Sequence, residues 1–353
     1  MSSLINNPAP LYMSPELTKK KPIIAGPTTT AAASTTTAAT SSSKSLNASG
    51  DKANLIEFWR NPEAGNIYRH AEHLTSPVTP CLVEHSKLCQ TVSSASASTK
   101  MIHVMDMCCG TGVVSSYIQK MMRELPGQQR ERVRLTSADS SEAQLGVVKE
   151  KIEREEWVGS EVKQADIMNM SFPSDQFDVV IVAMALMLVA DPYTSLNECY
   201  RVTKPGGTVA TSTWVTEGWI PDTRDAVASL TLPGPNQQPV SWPQSSIELT
   251  SLWGPGAWES PSFVKSMFTA AGFVDVEVDV VTKWVPFSGV DEWCTVFQAF
   301  MYGVMERFWT RAQREGLKGR LMPTLRAFME EKYQGRPFEV ERTVLLARGR
   351  KPE

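Results

Sequence analysis

The sequence has no large excess of charge of either sign. Its 353 residues contain 35 lysines and arginines against 38 aspartates and glutamates, which gives a net charge of −3 and a pI near 5.9. A surface that holds nucleic acid or an anionic membrane carries a clear positive excess. The charge balance therefore argues against nucleic acid or a membrane as the main partner.

Long apolar runs and paired cysteines are also missing. The longest apolar run, 179–190, covers about twelve residues, whereas a transmembrane helix needs about twenty. The six cysteines show no paired metal spacing, and the adjacent Cys108 and Cys109 argue against a disulfide framework. No secretory leader opens the chain. We therefore expect a cytoplasmic protein without a metal site.

The composition predicts one structured domain behind an unstructured segment. Hydrophobic residues make up 42% and charged residues 21%, which is an ordinary globular balance for one large domain or two small ones. Residues 1–50 differ, because the Thr/Ala/Ser run at 28–43 has almost nothing to bury. We expect a disordered tail over 1–50 and a single domain over 51–353. A mitochondrial transit peptide is an alternative for this Ser-rich, acid-poor tail, which however has no arginine.

A strand, a turn of small residues and a helix follow one another at 101–117. Met101–Met105 is apolar enough for a buried parallel strand, and apolar residues recur at helical spacing after Gly112. Gly110 and Gly112 permit backbone conformations that other residues avoid. This order is typical of the first half of a nucleotide-binding βαβ unit.

Two residues of this unit argue against a dinucleotide ligand. A dinucleotide loop has its first glycine where this chain has Cys108, and Asp106 at the strand end would repel a phosphate. S-adenosylmethionine has no phosphate and carries a sulfonium and an ammonium, which favour a carboxylate nearby. The loop therefore favours S-adenosylmethionine, and an NAD-dependent dehydrogenase is a distant alternative.

Two further acids lie at predicted strand ends. Asp139 ends the predicted strand 133–139, where its carboxylate can accept both ribose hydroxyls, although it could instead cap the following helix. Asp166 with Ile167 ends the third strand, where an acid and an aliphatic side chain suit the amine and the ring face of adenine. The alternative for Asp166 is an acid that caps a turn.

Taken in order, these motifs resemble class I S-adenosylmethionine-dependent methyltransferases. The resemblance covers 54–282, and it is greatest to the small-molecule methyltransferases of fungal secondary metabolism, because of Trp214 after the Lys-Pro-Gly-Gly turn and the stretch around Trp258. The matching stretches are Asp106-Met-Cys-Cys-Gly-Thr-Gly112, Ala138-Asp-Ser-Ser-Glu142, Gln164-Ala-Asp-Ile167, Phe172-Pro-Ser-Asp-Gln-Phe-Asp178 and Arg201-Val-Thr-Lys-Pro-Gly-Gly207. Cys108 in place of the usual glycine is the departure from the pattern.

The resemblance implies a Rossmann-like α/β sheet, mostly parallel with an antiparallel last strand. It also implies a cap of N-terminal helices over 54–95 and insertions over 215–259 and 283–337 that cover the pocket. The residues implied to bind S-adenosylmethionine are Tyr68, Asp106, Cys109, Gly110, Gly112, Asp139, Ser140, Asp166, Ile167 and Ala183. Tyr68 would be the aromatic lid, with packing at a helix contact as the alternative.

The acceptor side is predicted from aromatic residues. Tryptophans crowd 215–259, and such a loop suits a flat, apolar substrate, although an ordinary packed insertion is the alternative. The segment after the fourth strand has Ala183 and methionines where a catalytic polar residue could stand, so we expect it to position rather than catalyse. His73 is the nominal general base, with a solvated or packing histidine as the alternative.

Three functions remain open from the sequence. The first is methyl transfer to a small molecule, with oxygen as the acceptor atom. The second is a cofactor-binding fold that catalyses a cyclisation or rearrangement without moving a methyl group. The third is a regulator that methylates or binds a protein partner through its acidic surface and its tail.

Overall fold

The computed structural model describes residues 64–94, 100–234, 239–251 and 254–353. All of them belong to one compact unit, 47–353, while the other unit, 1–46, lies outside the described residues. The disordered tail predicted for 1–50 therefore lies outside the described residues, as do Trp253 and the side chain of Tyr68.

Seven strands of the described residues form one sheet with the order β3-β2-β1-β4-β5-β7-β6. Strands β1 to β5 pair in parallel, and β7 runs antiparallel to both β5 and β6, which confirms the predicted sheet. The strands are β1 (Ile102–Met107), β2 (Val133–Asp139), β3 (Ser160–Gln164), β4 (Phe177–Ala183), β5 (Thr203–Glu217), β6 (Val274–Phe287) and β7 (Phe338–Arg350).

Twelve α-helices of the described residues pack around this sheet. None of them is both long and apolar enough to cross a membrane. The helices are α1 (Ala64–Thr75), α2 (Thr79–His85), α3 (Leu88–Ser94), α4 (Val113–Glu124), α5 (Gly127–Arg130), α6 (Glu142–Arg154), α7 (Pro192–Val202), α8 (Trp219–Val227), α9 (Ser246–Ser251), α10 (Pro261–Ala270), α11 (Val290–Phe308) and α12 (Arg311–Tyr333).

The central strands are buried because their sequences are apolar on both faces. In β4, Val179, Val180, Ile181 and Val182 are fully buried, and β1 is almost as deeply buried. The strand order reverses between β1 and β4, since the chain proceeds from β1 to β2 and β3 on one side and from β4 to β5 on the other. Ligands of open α/β sheets bind at the carboxyl ends of strands at such a reversal.

The segment 283–337, expected as an insertion, is mainly helical. Strand β6 continues to Phe287, and helix α11 ends at Phe308. A second helix, α12, begins after Thr310, whose side chain forms a capping box with Gln313. That this segment covers the pocket stays a prediction.

The tryptophans of 215–259 pack inward. Trp219, Trp242 and Trp258 are all nearly fully buried, and the indole N–H of Trp242 donates to Thr223 Oγ1 at 2.8 Å. These rings therefore stabilise the domain, as in the alternative of a packed insertion. That the segment also covers the pocket stays a prediction.

Candidate functional site

A cavity lies at the carboxyl ends of β1, β2 and β4, where the strand order reverses. Three acids at strand ends, Asp106, Asp139 and Asp166, line this one cavity. The other predicted residues among its lining are Cys109, Gly110, Ser140, Ile167 and Ala183. The structure thus brings together the strand ends on which the sequence prediction depended.

Asp106 is the most deeply buried of the three acids. It is fully buried, and its Oδ2 accepts hydrogen bonds from Ser115 N at 2.9 Å and Ser115 Oγ at 2.6 Å. Its Oδ1 has no hydrogen-bond partner among the described residues. Burial raises the pKa of Asp106 to about 7, although the bonds from Ser115 oppose the shift. A buried carboxylate oxygen that lacks a partner and lines a cavity fits a cationic ligand.

The loop after β1 is held in left-handed backbone conformations. The φ angles of Cys108, Gly110 and Gly112 are 57°, 56° and 84°. Cys108 therefore keeps the conformation for which glycine is the usual residue, at the cost of strain in a non-glycine residue. Burial raises the pKa of the Cys108 and Cys109 thiols well above the ordinary value, so both stay neutral rather than act as nucleophiles.

Asp139 holds the same loop from the end of β2. Its Oδ2 accepts from Gly110 N at 3.0 Å, and its Oδ1 accepts from Ser141 N at 2.9 Å. Ser141, rather than Asp139, caps α6 by accepting from Gln144 N. Each carboxylate oxygen has two lone pairs, so Asp139 can accept two further hydroxyl donors. Burial raises its pKa, and the backbone donors oppose that shift.

Asp166 and Ile167 lie in the turn after β3, which ends at Gln164. The Asp166 Oδ1 accepts from Met168 N at 2.9 Å, as expected of an acid that caps a turn. The same side chain lines the cavity beside Ile167, which is only 4% exposed. Turn capping and contact with a ligand are therefore compatible at Asp166.

Three predicted residues, Gly112, Tyr68 and His73, are not among the described residues that line the cavity. Gly112 does not line the cavity but begins α4, while Tyr68 lies in α1 with its side chain outside the described residues. His73 Nε2 is 2.6 Å from the Pro286 carbonyl oxygen, and its ring packs edge-on against Phe287. A carbonyl only accepts, so this nitrogen carries a proton and cannot take one. The structure does not bring His73 to the cavity as a base.

The sequence interpretation missed part of the lining. Glu72 and Thr75 of α1 face the cavity, and so do Gln144 of α6 and residues 188–190. Lys151 Nζ holds the Glu72 carboxylate at 2.7 Å. Glu72 lies one helical turn after Tyr68, on the same helix face. Helical spacing from the predicted lid residue could therefore have indicated that Glu72 faces the cavity.

Gly112 supports a prediction about stability. A Cβ at this residue would lie 3.1 Å from Val148 Cγ2, in a backbone with φ of 84°. We expect Gly112→Ala to lower the free energy of unfolding by about 1–2 kcal/mol, because the left-handed conformation penalises a side chain. Gly146, inside α6 with open space around it, is the matched control. There, alanine should stabilise by about 1 kcal/mol. Urea unfolding of both variants checks this, and equal effects would contradict it.

Comparison with known proteins bears on the activity of the chain. Residues 105–211, from the end of β1 to β5, match the family model described as "Methyltransferase domain". The chain is an S-adenosylmethionine-dependent methyltransferase. Among the described residues of this methyltransferase, no group of three or more His, Cys, Asp or Glu side chains is arranged to hold a metal ion.

Relatives of this methyltransferase occur in Aspergillus. Methyltransferase tpcH of Aspergillus fumigatus is 29% identical over 261 residues, which are 73% of this chain and 88% of that protein. Acetylaranotin bis-thiomethyltransferase of Aspergillus terreus is 26% identical over 304 residues, covering 85% of this chain and 99% of that protein. Among solved structures, phosphoethanolamine N-methyltransferase 2 of Haemonchus contortus with S-adenosyl-L-methionine shares 12% identity. The match covers 85% of this chain and 60% of the Haemonchus chain with a TM-score of 0.42, and this similarity is too low to bear on function.

Proposed function

We propose that this methyltransferase acts in the cytoplasm on a small, flat and apolar acceptor in secondary metabolite biosynthesis, with oxygen as the acceptor atom. The observation that carries the proposal is the division of the cavity into two walls. Carboxylates at strand ends form one wall, and the apolar segment after β4 forms another.

The carboxylate wall fits the cofactor. In the proposed arrangement Asp139 accepts the ribose hydroxyls, and Asp166 with Ile167 holds adenine. The partnerless Oδ1 of Asp106 faces the cationic amino-acid end. S-adenosylmethionine supplies a methyl group that its sulfonium already activates. The protein then has to align the acceptor and exclude water, and alignment alone can supply on the order of 7–11 kcal/mol.

An aromatic cluster adjoins the apolar wall. Met184 lines the cavity, and its backbone N–H donates to Ser212 O on β5 at 3.0 Å. Two residues further along β5, Trp214 packs edge-on against Phe300, which in turn meets Trp219. These three rings do not line the cavity and support the wall from behind. The apolar wall itself favours an apolar acceptor over a polar or peptide one.

Oxygen is proposed as the acceptor atom because the described lining of the cavity holds no histidine and no ionised thiol. The thiols of the cavity are neutral, and His73 lies outside it. An acceptor that ionises with little help, such as a phenol or an enol, is therefore favoured. Sulfur is the second candidate, because the Aspergillus terreus relative is by name a bis-thiomethyltransferase. A thiol also ionises near neutral pH without help.

Labelled cofactor separates the proposed function from its alternatives. The full chain and the Asp139→Ala variant are each incubated with S-adenosylmethionine labelled in the methyl group and matched pairs of aromatic alcohols and thiols. Label in a small-molecule product, made by the wild type only, supports the proposal. Whether the alcohol or the thiol of a pair is methylated identifies the acceptor atom. Product without label indicates a cyclase or isomerase, and label in added protein indicates a protein methyltransferase.

The role of the tail is tested by deletion. We expect a chain of residues 51–353 to keep the turnover of the full chain within about twofold, because a small acceptor needs only the folded domain. Loss of most turnover in the shortened chain would contradict a function confined to the domain and would favour a protein partner.

A further inference from the structure

The last turn of α1 is held by a buried arginine from the far end of the chain. Arg342 of β7 is 5% exposed, and its Nη1 donates to the Leu74 carbonyl oxygen at 2.8 Å across 268 residues of sequence. The final carbonyls of a helix have no partner within the helix, and a cation there is favourable. Arg342 therefore supplies a partner for one of the last carbonyls of α1 from the far end of the chain.

The charge of Arg342 is balanced by an equally buried acid. Its Nη2 lies 3.0 Å from Glu217 Oε1, and the two side chains are 6% and 4% exposed. The other oxygen of Glu217 accepts from Trp219 Nε1 at 2.9 Å, and the guanidinium lies over the Trp214 ring. Two charges that are buried this deeply are tolerated only as a pair with further hydrogen bonds. The pair is thus a rigid support that joins β5, β7 and the aromatic cluster.

The residue that Arg342 holds lies between two residues of the cavity wall. Leu74 is flanked by Glu72 and Thr75, both of which line the cavity. A second tie comes from His73, whose Nε2 donates to the Pro286 carbonyl on β6. The position of this wall relative to the strand ends therefore depends on contacts with β6 and β7 as well as on the bond from Lys151 to Glu72.

We propose that Arg342, paired with Glu217, is a positioning residue that sets α1 against the cofactor cavity and thereby controls cofactor affinity. The inference rests on the assignment of the cavity to the cofactor. Arg342 touches neither ligand nor reacting atoms, and it acts through the carbonyl of Leu74. The conservative change to lysine keeps the charge beside Glu217, so its effect is expected on the wall formed by α1.

The chain offers a matched control on the same strand. Arg348 lies six residues further along β7, on the same face, is similarly buried and pairs with Glu277 of β6. We compare Arg342→Lys with Arg348→Lys in the full chain. In both variants the positive charge of the side chain stays, while the second terminal nitrogen of the guanidinium is lost. Only the first variant loses a bond to α1.

Two measurements are made on each variant, calorimetric titration with S-adenosylhomocysteine and hydrogen exchange of backbone amides. We expect Arg342→Lys to weaken binding about tenfold, the value of one hydrogen bond to a charged group. Amide exchange should accelerate in α1 alone. Arg348→Lys should change binding by less than about twofold, because its contacts do not reach the cavity. Equal binding by the two variants, or exchange that rises across the whole sheet, would overturn the proposal.

The wild type distinguishes a wrong cofactor assignment from a wrong role for Arg342, and a second pair of variants covers the case in which Arg342→Lys does not fold. If the wild-type chain fails to bind S-adenosylhomocysteine, the cofactor assignment is wrong, whereas a wild type that binds with indistinguishable lysine variants refutes only the role of Arg342. If Arg342→Lys does not fold, Glu217→Gln is compared with Glu277→Gln in the same two measurements. Only the first of these should weaken binding and loosen α1.

Discussion

Replacing Asp139 with alanine is expected to weaken S-adenosylhomocysteine binding by about 100-fold or more. Each hydrogen bond to an ionised acceptor contributes roughly 1.5–3 kcal/mol, and two ribose hydroxyls would lose theirs together. Gly110 N would also lose its acceptor, at 3.0 Å, so the loop after β1 would be less well held. Calorimetric titration measures the change directly.

Two controls make the Asp139 result specific. Asp225→Ala removes an acid of α8 that lies outside the cavity and is largely exposed, and it should leave binding unchanged. Asp139→Asn keeps one acceptor oxygen and should lose less affinity than alanine. If Asp139→Ala binds the ligand as tightly as the wild type, the ribose role is wrong.

Asp106→Asn is expected to stabilise the protein while it weakens cofactor binding. The buried carboxylate has a pKa of about 7 against an ordinary value of 3.8, so burial penalises its charged form. An amide avoids that penalty and can still accept from Ser115 through its oxygen. Above pH 7 the gain should be about 1–3 kcal/mol in the free energy of unfolding, because the amide N–H groups replace an oxygen without a partner and so offset part of the relief from a penalty of roughly 4 kcal/mol. A cationic ligand would, however, lose its counter-charge.

The pH dependence of stability follows from the direction of this shift. Between about pH 4 and pH 7 the folded protein keeps the Asp106 proton that the unfolded chain has already lost. The contribution of this group to stability therefore falls as the pH rises through that window, and the decrease is complete above about pH 7. Urea unfolding of the wild type should show this decrease relative to Asp106→Asn across the series. Parallel curves for the two proteins would contradict it.

Ligand binding should depend on pH in the opposite direction. The ionised form of Asp106 attracts the ammonium of the cofactor, so wild-type affinity should rise as the pH passes through about 7. Asp106→Asn should bind weakly at every pH. A wild-type affinity that is flat from pH 5.5 to 8.5 would mean that Asp106 does not face the cation.

The acids of the site were predictable because strand ends can be located from apolar runs. Strand β2 has the predicted limits, 133–139, and Asp106 and Asp139 lie at the ends of β1 and β2 as the apolar pattern predicts. Parallel strands place their carboxyl ends along one edge, so side chains far apart in sequence meet there. Local patterns were sufficient for this part of the site.

The α1 wall could not be predicted in the same way. The bond from Arg342 to Leu74 joins residues 268 positions apart, and the local sequence of neither segment predicts it. His73 was selected for its chemistry, yet its ring donates to a backbone carbonyl of β6. Contacts of this kind depend on how distant elements pack, which periodicity does not report.

Helix α12 was missed for a different reason. Its buried residues, Leu317, Leu321, Leu325 and Met329, recur every four positions, as a helix requires. Pro323 lies within that run and normally ends a helix, because it removes a donor and clashes with the preceding turn. Packing of this apolar face outweighs the local cost of one proline.

A crystal structure of the full chain with S-adenosylhomocysteine tests the assignment of the cavity most directly. We expect the ribose hydroxyls on Asp139, adenine between Asp166 and Ile167, and the amino-acid end facing Asp106. Ligand density away from these three carboxylates, or carboxylates that turn to separate surroundings in the complex, would contradict it.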